Sequence, residues 1–265
     1  MAGKTSIAWT NRTWNPLTGC TRVTAGCDHC YAFAWHDKMY AAYVRNTGIW
    51  PNGQTIPEQY AMPFSQVQLL PKRLDEPLHI KEPSMFFVNS MGDFFHHDVP
   101  VEYIHQMLDV MRQAHWHTFQ ILTKRAGRLR HLGPQLDWPS NVWVGVSIEN
   151  DLVVGRADAL RIGAAKAAVR FISAEPLLGP LPSLNLDGVD WLIVGAESGA
   201  GARRMQDAWV RDLINRCIMR GIPPFFKQRA DSKGHKLEHP LLDGVVWEEF
   251  PAINCQARDE LEQGA

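Results

Sequence analysis

From residue 85 onward the chain alternates between short apolar runs and longer amphipathic stretches. The runs at Met85–Asn89, Thr118–Leu122, Val142–Val146, Val169–Ile172, Asp190–Val194 and Pro223–Phe226 are too short for helices. Most are rich in β-branched and aromatic residues, and they predict buried strands. A further strand is predicted at Arg12–Asn15. Between strands, Ile104, Met107, Leu108 and Met111 share one face at helical spacing, with Asp98 and Pro100 as start signals. Val210, Leu213, Ile214, Cys217 and Ile218 form a second such face, closed by Gly221.

Strand, helix, strand in regular succession is the pattern of βαβ units and a parallel sheet. The expected fold class is therefore α/β, a complete or partial (β/α) TIM-type barrel. The expectation is one domain spanning 1–265, with an insertion at about 31–83 between the first two strands. That insertion, which contains IWPNGQTIPEQY, reads as a lid or substrate loop.

Almost every predicted strand ends in polar residues. Asn89, Ser90 and Asp93 follow one, and Thr123, Lys124 and Arg125 the next. Then come Ser147, Glu149 and Asn150, then Ser173 and Glu175, then Glu197 and Ser198, and finally Lys227 and Gln228. In a parallel barrel these ends meet at one rim, where active sites are built. Lys124, Arg203 and Lys227 follow strand ends and suit a phosphate or carboxylate; Glu175 and Glu197 are placed to pair with them or to meet substrate. Arg128 and Arg130 read as a solvated helix face. Trp9, Trp14, Phe94 and Phe95 read either as a shielding rim or as ordinary core.

Composition narrows this picture. A chain of 265 residues with 45% hydrophobic residues and ten Trp buries a core and is not disordered. No apolar run reaches the roughly 18 residues that span a bilayer, and the start of the chain lacks a signal-peptide core. A cytoplasmic protein without a membrane partner is expected. The net charge of −1 argues against a broad nucleic-acid grip and confines phosphate recognition to a few rim cations.

Five cysteines, an odd number in a reducing compartment, do not make a disulfide framework. Cys217 lies on an apolar helix face and reads as packing; Cys255 has no evident role. Cys20, Cys27 and Cys30 fall together as C-x6-C-x2-C, in GCTRVTAGCDHCY. A short loop can bring three soft thiolates to one metal centre. Zinc with a fourth ligand such as His29, an iron–sulfur cluster with one iron left open, and three metal-free thiols are all compatible with the spacing.

A three-cysteine loop after the first strand of a (β/α) barrel resembles the radical S-adenosylmethionine superfamily, although the usual first spacing there is x3. Across most of the chain, IAWTNRTWNPLTGC, GCDHCYA, FFVNSMGDFFHHDVP, ILTKRAGRL, VGVSIEN, FISAEPLLGP, IVGAESGAGARRM and FFKQ resemble an uncharacterised family of phage and bacterial proteins with a radical-SAM-like cysteine motif. The resemblance implies that Cys20, Cys27 and Cys30 ligate three irons of a [4Fe-4S] cluster. The fourth iron would chelate S-adenosyl-L-methionine. His29 would occupy the aromatic position before the last cysteine. Ser90, Met91, Gly92 and Asp93 would receive the methionine amino group, with Asp93 where Glu is more usual. Ser147 and Glu149 would hold the ribose or carboxylate. Apart from the resemblance, the strand-end groups Lys124, Glu175, Glu197, Arg203 and Lys227 are the expected catalytic or substrate-contacting groups.

The implied activity is formation of a 5′-deoxyadenosyl radical. A flavodoxin- or ferredoxin-type electron donor would serve it, and a nucleotide or nucleic acid is a candidate substrate. Two other readings stand beside it. One is a zinc-stabilised barrel that binds nucleic acid or a protein partner. The other is an iron–sulfur redox sensor.

Overall fold

The structure, a computed structural model, describes residues 2–199, 201–231 and 233–252. The elements run β1 (Gly3–Lys4), β2 (Arg12–Trp14), β3 (Leu17–Thr18), α1 (Tyr31–Arg45), β4 (Gln68–Leu69), β5 (Met85–Val88) and α2 (Val101–Gln113). There follow β6 (Thr118–Thr123), α3 (Ala126–Leu132), β7 (Val142–Ser147), α4 (Arg156–Gly163), β8 (Val169–Ala174) and β9 (Trp191–Gly195). The chain continues through α5 (Asp207–Ile218), β10 (Pro224–Ala230), β11 (Lys236–Glu238), β12 (Leu241–Leu242) and β13 (Val245–Val246).

Nine strands form one sheet in the order β1-β2-β5-β6-β7-β8-β9-β10-β11. From β2 to β10 every neighbouring pair is parallel, each new strand being laid beside the last. β1 and β11 pair antiparallel at the two edges, so among the described residues the sheet does not close on itself.

Side chains alternate across a strand, and this sorts the sheet into two faces. On one, Val88, Ile121, Val144, Ile172, Val194 and Phe226 are buried in the same core as Ile104, Met107 and Met111 of α2 and Leu213, Ile214 and Cys217 of α5. On the other, Trp143, Phe171, Trp191 and Phe225 cluster with Trp9, and Phe87 and Leu122 pack against them. The Trp9 ring lies 4.8 Å from Phe87 and 6.3 Å from Trp191. Gly145 belongs to this face, where a Cβ would come within 2.5 Å of the Phe171 ring.

All seven predicted strands are present, with β8 and β10 running further than their apolar runs. The predicted face of α5 is buried except at Ile218, which is 51% exposed at the last residue of the helix. The region read as an insertion opens with α1, which connects β2 to β5; its later part returns as β4, paired antiparallel with β3. Trp14, Phe94 and Phe95 are core, not rim. Cys217 is buried in that core, and Cys255 lies outside the described residues. No described helix is long and apolar enough to cross a membrane.

Candidate functional site

At the carboxyl ends of the parallel strands, above the aromatic layer, lies a cavity of about 550 Å³. Trp9, Phe87 and Leu122 are its apolar floor. Strand ends supply Asn89, Ser90, Asp93, Lys124, Ser147, Ser173, Glu175, Glu197 and Lys227. The remaining wall carries Cys20, Cys27, His29 and Cys30, with Tyr31 and Phe33 from the first turn of α1. A more open depression of about 710 Å³ lies between residues 180–187 and α5; there Arg216 is spent on Asp212 and on the Leu181 and Leu184 carbonyls.

The cysteine loop starts under tight steric control. Gly19 has φ +100°, and a Cβ there would lie 2.3 Å from the Gln66 carbonyl oxygen. Its N–H donates to Met91 O at 3.0 Å, and the Cys20 N–H donates to Phe64 O at 2.8 Å. On the facing segment, Asn15 accepts the Met91 N–H at 2.9 Å and bonds Ser90 Oγ. Cys27 closes a 3-10 turn at Ala25–Cys27, and Cys30 is the N-cap residue of α1.

Four arginines hold this loop. Arg22 donates to the Cys27 carbonyl at 3.3 Å. Arg125, just beyond β6, donates to Thr21 O at 3.1 Å and Thr21 Oγ1 at 2.7 Å, and its Nη2 is 3.8 Å from Cys20 Sγ. Arg156, from α4, reaches Thr24 Oγ1 at 3.3 Å while bonded to Ser147 O and, at 2.8 Å, to Glu149. Arg203 donates to Ala25 O at 2.7 Å and lies 3.3 Å from Asp28, with Glu197 as its main partner. A polar loop carries carbonyls that need donors, and the strand ends provide them.

Burial pushes the Cys20 thiol up to about 12, with Asp93 adding to the shift and Arg125 opposing it. It is a neutral thiol at pH 7 until a metal displaces its proton. Three thiols lining one cavity are a soft donor set suited to zinc or to iron–sulfur. Among the described residues, the ligand-type group with all its donor atoms within 4.8 Å of one another is His96, His97 and Asp98, so at least one pair of the three thiols lies further apart than that. A tetrahedral zinc with Zn–S of about 2.3 Å would need thiolates about 3.8 Å apart. Three cysteine ligands also suit a [4Fe-4S] cluster that leaves one iron open. Both amide atoms of Asn89, together with Ser173 Oγ and Trp9 Nε1, are buried without a partner at this cavity, as expected of groups awaiting a ligand.

The charged groups are mostly paired. Burial alone would raise the Glu197 carboxyl, but the Arg203 guanidinium, the Arg203 N–H and His29 outweigh it and hold it down at about 2. His29 Nδ1 and Glu197 are 2.9 Å apart. Lys227 is paired with Glu175. Lys124 Nζ meets the Ser147 hydroxyl at 3.2 Å. Asp93 accepts from Thr123 Oγ1 at 2.7 Å and from the N–H groups of Phe95 and Lys124.

The model of the family described as "Protein of unknown function (DUF5131)" matches residues 4–251. The chain belongs to this family. No curated protein matches it. Among solved structures it is similar to spore photoproduct lyase complexed with dinucleoside spore photoproduct, with 12% identity, a TM-score of 0.42 and coverage of 74% of this chain and 58% of that one. A doubly substituted spore photoproduct lyase with bound AdoMet and the same dinucleoside gives 12% identity and a TM-score of 0.45, over 82% and 63% of the two chains. A singly substituted form gives 13% and 0.46, over 99% and 74%. The chain thus spans about three fifths of the first two. These likenesses are too distant to bear on reaction or substrate.

In this DUF5131 chain most of the sequence-predicted residues do meet at one cavity: the three cysteines, His29, Ser90, Gly92, Asp93, Lys124, Ser147, Glu175, Glu197 and Lys227 all line it. Three stand behind it. Met91 packs with Cys20 and Cys30 against Phe33 and Phe64. Glu149 is buried against Arg156, and Arg203 clamps the loop from outside. Arg128, read as solvated, is half-buried and donates to the His96 and Val99 carbonyls. The sequence places Asn89, Arg125 and Ser173 on the polar rim without an individual role, and Gln120 and Arg156 were not singled out. For Gln120 a signal existed, since it is a polar residue in the middle of a buried apolar run.

Proposed function

We propose that this protein is a radical S-adenosylmethionine enzyme built on a partial (β/α) barrel. The observation that supports it most is the meeting of Cys20, Cys27 and Cys30 on one wall of a polar cavity at the carboxyl ends of parallel strands. The three cysteines would hold a [4Fe-4S] cluster. Such a cluster would supply one-electron reductive cleavage of the carbon–sulfur bond of S-adenosyl-L-methionine, releasing methionine, for hydrogen-atom abstraction from substrate.

The chain's own residues bind, orient and shield. The four arginines fix the loop, and Gly19 and Asn15 set it against the segment at 90–92. Ser90, Gly92 and Asp93 are positioned for the methionine amino group, and one lone-pair direction of Asp93 remains beyond its three donors. Ser147 is positioned for ribose or carboxylate. Lys124, whose described side-chain partner is a hydroxyl rather than a carboxylate, is positioned for an anionic group, and a phosphate-bearing nucleotide is the substrate class we favour. The Trp9 and Phe87 floor keeps water from the cavity base.

Anaerobic reconstitution with iron and sulfide tests the reading. The expected result is a brown protein with about four irons per chain that releases 5′-deoxyadenosine and methionine under strong reductant. Stoichiometric zinc in the purified protein, with no iron uptake, would overturn it. Iron without cofactor cleavage would leave a redox sensor.

A further inference from the structure

Of the four arginines on the cysteine loop, three meet carbonyls, a hydroxyl or carboxylates, and Arg22 also lies over the Phe33 ring at 4.2 Å. Arg125 alone among them also lies against a cysteine sulfur, Nη2 to Cys20 Sγ at 3.8 Å. It is fixed there from both ends. Its backbone N–H donates to Thr123 Oγ1 at 2.9 Å, and its Nη2 forks onto Thr21. Its Nη1 is buried with no partner, and among the described residues no carboxylate forms an ion pair with it. A guanidinium N–H buried without an acceptor is costly, and a positive charge so placed has no local counter-charge in direct contact. His96, which shares Thr21 from the other side, adds no positive charge, because burial and the nearby Arg125 lower its pKa to about 4.

We propose that Arg125 sets the reduction potential of the cluster, by hydrogen-bonding the Cys20 sulfur and placing an unpaired positive charge beside the first cysteine of the loop. This rests on the iron–sulfur reading above. Reduction adds a negative charge, and hydrogen bonds to cluster sulfurs and nearby positive charge both favour the reduced form.

The test compares wild type, Arg125→Gln, Arg125→Lys and Arg22→Gln after anaerobic reconstitution, measuring iron and sulfide content and the midpoint potential by EPR-monitored titration. Arg125→Gln should take up as much iron as wild type and be about tenfold harder to reduce, a fall of about 59 mV for a one-electron couple. Arg125→Lys, which keeps the charge, should recover most of that. Arg22→Gln, which loosens the same loop at a carbonyl, should stay within about twofold of wild type. An unchanged potential in Arg125→Gln overturns the proposal, and so does an equal fall in Arg22→Gln, which would trace the effect to loop mobility. If Arg125→Gln assembles no cluster, Arg125→Lys decides: a fall of tenfold or more despite the retained charge overturns the proposal. A wild-type chain that takes up no iron overturns the iron–sulfur reading itself, and this inference with it.

Discussion

At Glu197 burial and hydrogen bonding oppose each other, and the outcome has a pH signature. The side chain is 4% exposed, which favours the neutral acid, yet the Arg203 guanidinium and N–H with His29 hold the carboxyl at about 2, against an ordinary 4.5. A depressed carboxylate stabilises the fold above its unfolded pKa, and that contribution is lost as pH falls through the folded one. The Glu197 contribution should therefore be complete above about pH 4.5 and disappear toward pH 2. Glu197→Gln should be less stable than wild type by about 2 kcal/mol at pH 7, and the gap should narrow at pH 3. Urea denaturation at the two pH values measures this, and an equal gap at both would rule it out. The same variant releases Arg203, which ties the strand end to Ala25 and Asp28, so iron uptake on reconstitution should fall with it.

At the scale of elements, close approach of backbones decides more than helix or strand preference. Gly19 has a left-handed φ and faces the Gln66 carbonyl at a distance no Cβ tolerates. Gly19→Ala should cost more than about 2 kcal/mol and shift Cys20 out of place. Thermal melting combined with iron uptake reads both effects, and a variant that retains wild-type iron would show that the loop adjusts. Within the sheet, Gly145→Ala pushes a methyl into the Phe171 ring and should cost about 1–3 kcal/mol by overpacking, seen as a lower melting temperature. The strands were readable from sequence because both faces of the sheet are covered, so their apolar runs are nearly continuous. α1 was not readable. Ala32, Phe33, His36 and Ala42 are its buried positions, while Tyr31, Trp35 and Val44 are exposed, so its apolar residues do not fall on one stripe. The rim was legible residue by residue, but its pairing was not. Arg156 reaches a loop that precedes it by more than a hundred residues, and Glu149 turns away from the cavity to meet it. Only the folded sheet brings those strand ends together.

For the molecule as a whole, the decisive relation is that between the cysteine loop and the two cores. The main core joins one sheet face to α2, α3, α4 and α5, and the aromatic layer fills the other face. Neither contains Cys20, Cys27 or Cys30. Cys20 and Cys30 pack against a small satellite cluster of Ala32, Phe33 and Phe64, and the loop is held by arginine hydrogen bonds that need no metal. A structural zinc would behave otherwise, since folding and binding are then one event and removal of a ligand unfolds the chain. The triple variant Cys20→Ser, Cys27→Ser, Cys30→Ser should therefore keep the far-ultraviolet circular dichroism of the wild-type apoprotein and melt cooperatively within a few degrees of it, while binding neither iron nor zinc. Reconstituted wild type should melt higher than both, because a ligand that binds only the folded state stabilises it by mass action. If instead the triple variant is unfolded at 25 °C, the loop is a folding nucleus and the zinc-stabilised reading regains its force. If it folds and the loaded wild type gains stability, the fold is a scaffold complete in itself and the cysteines serve chemistry.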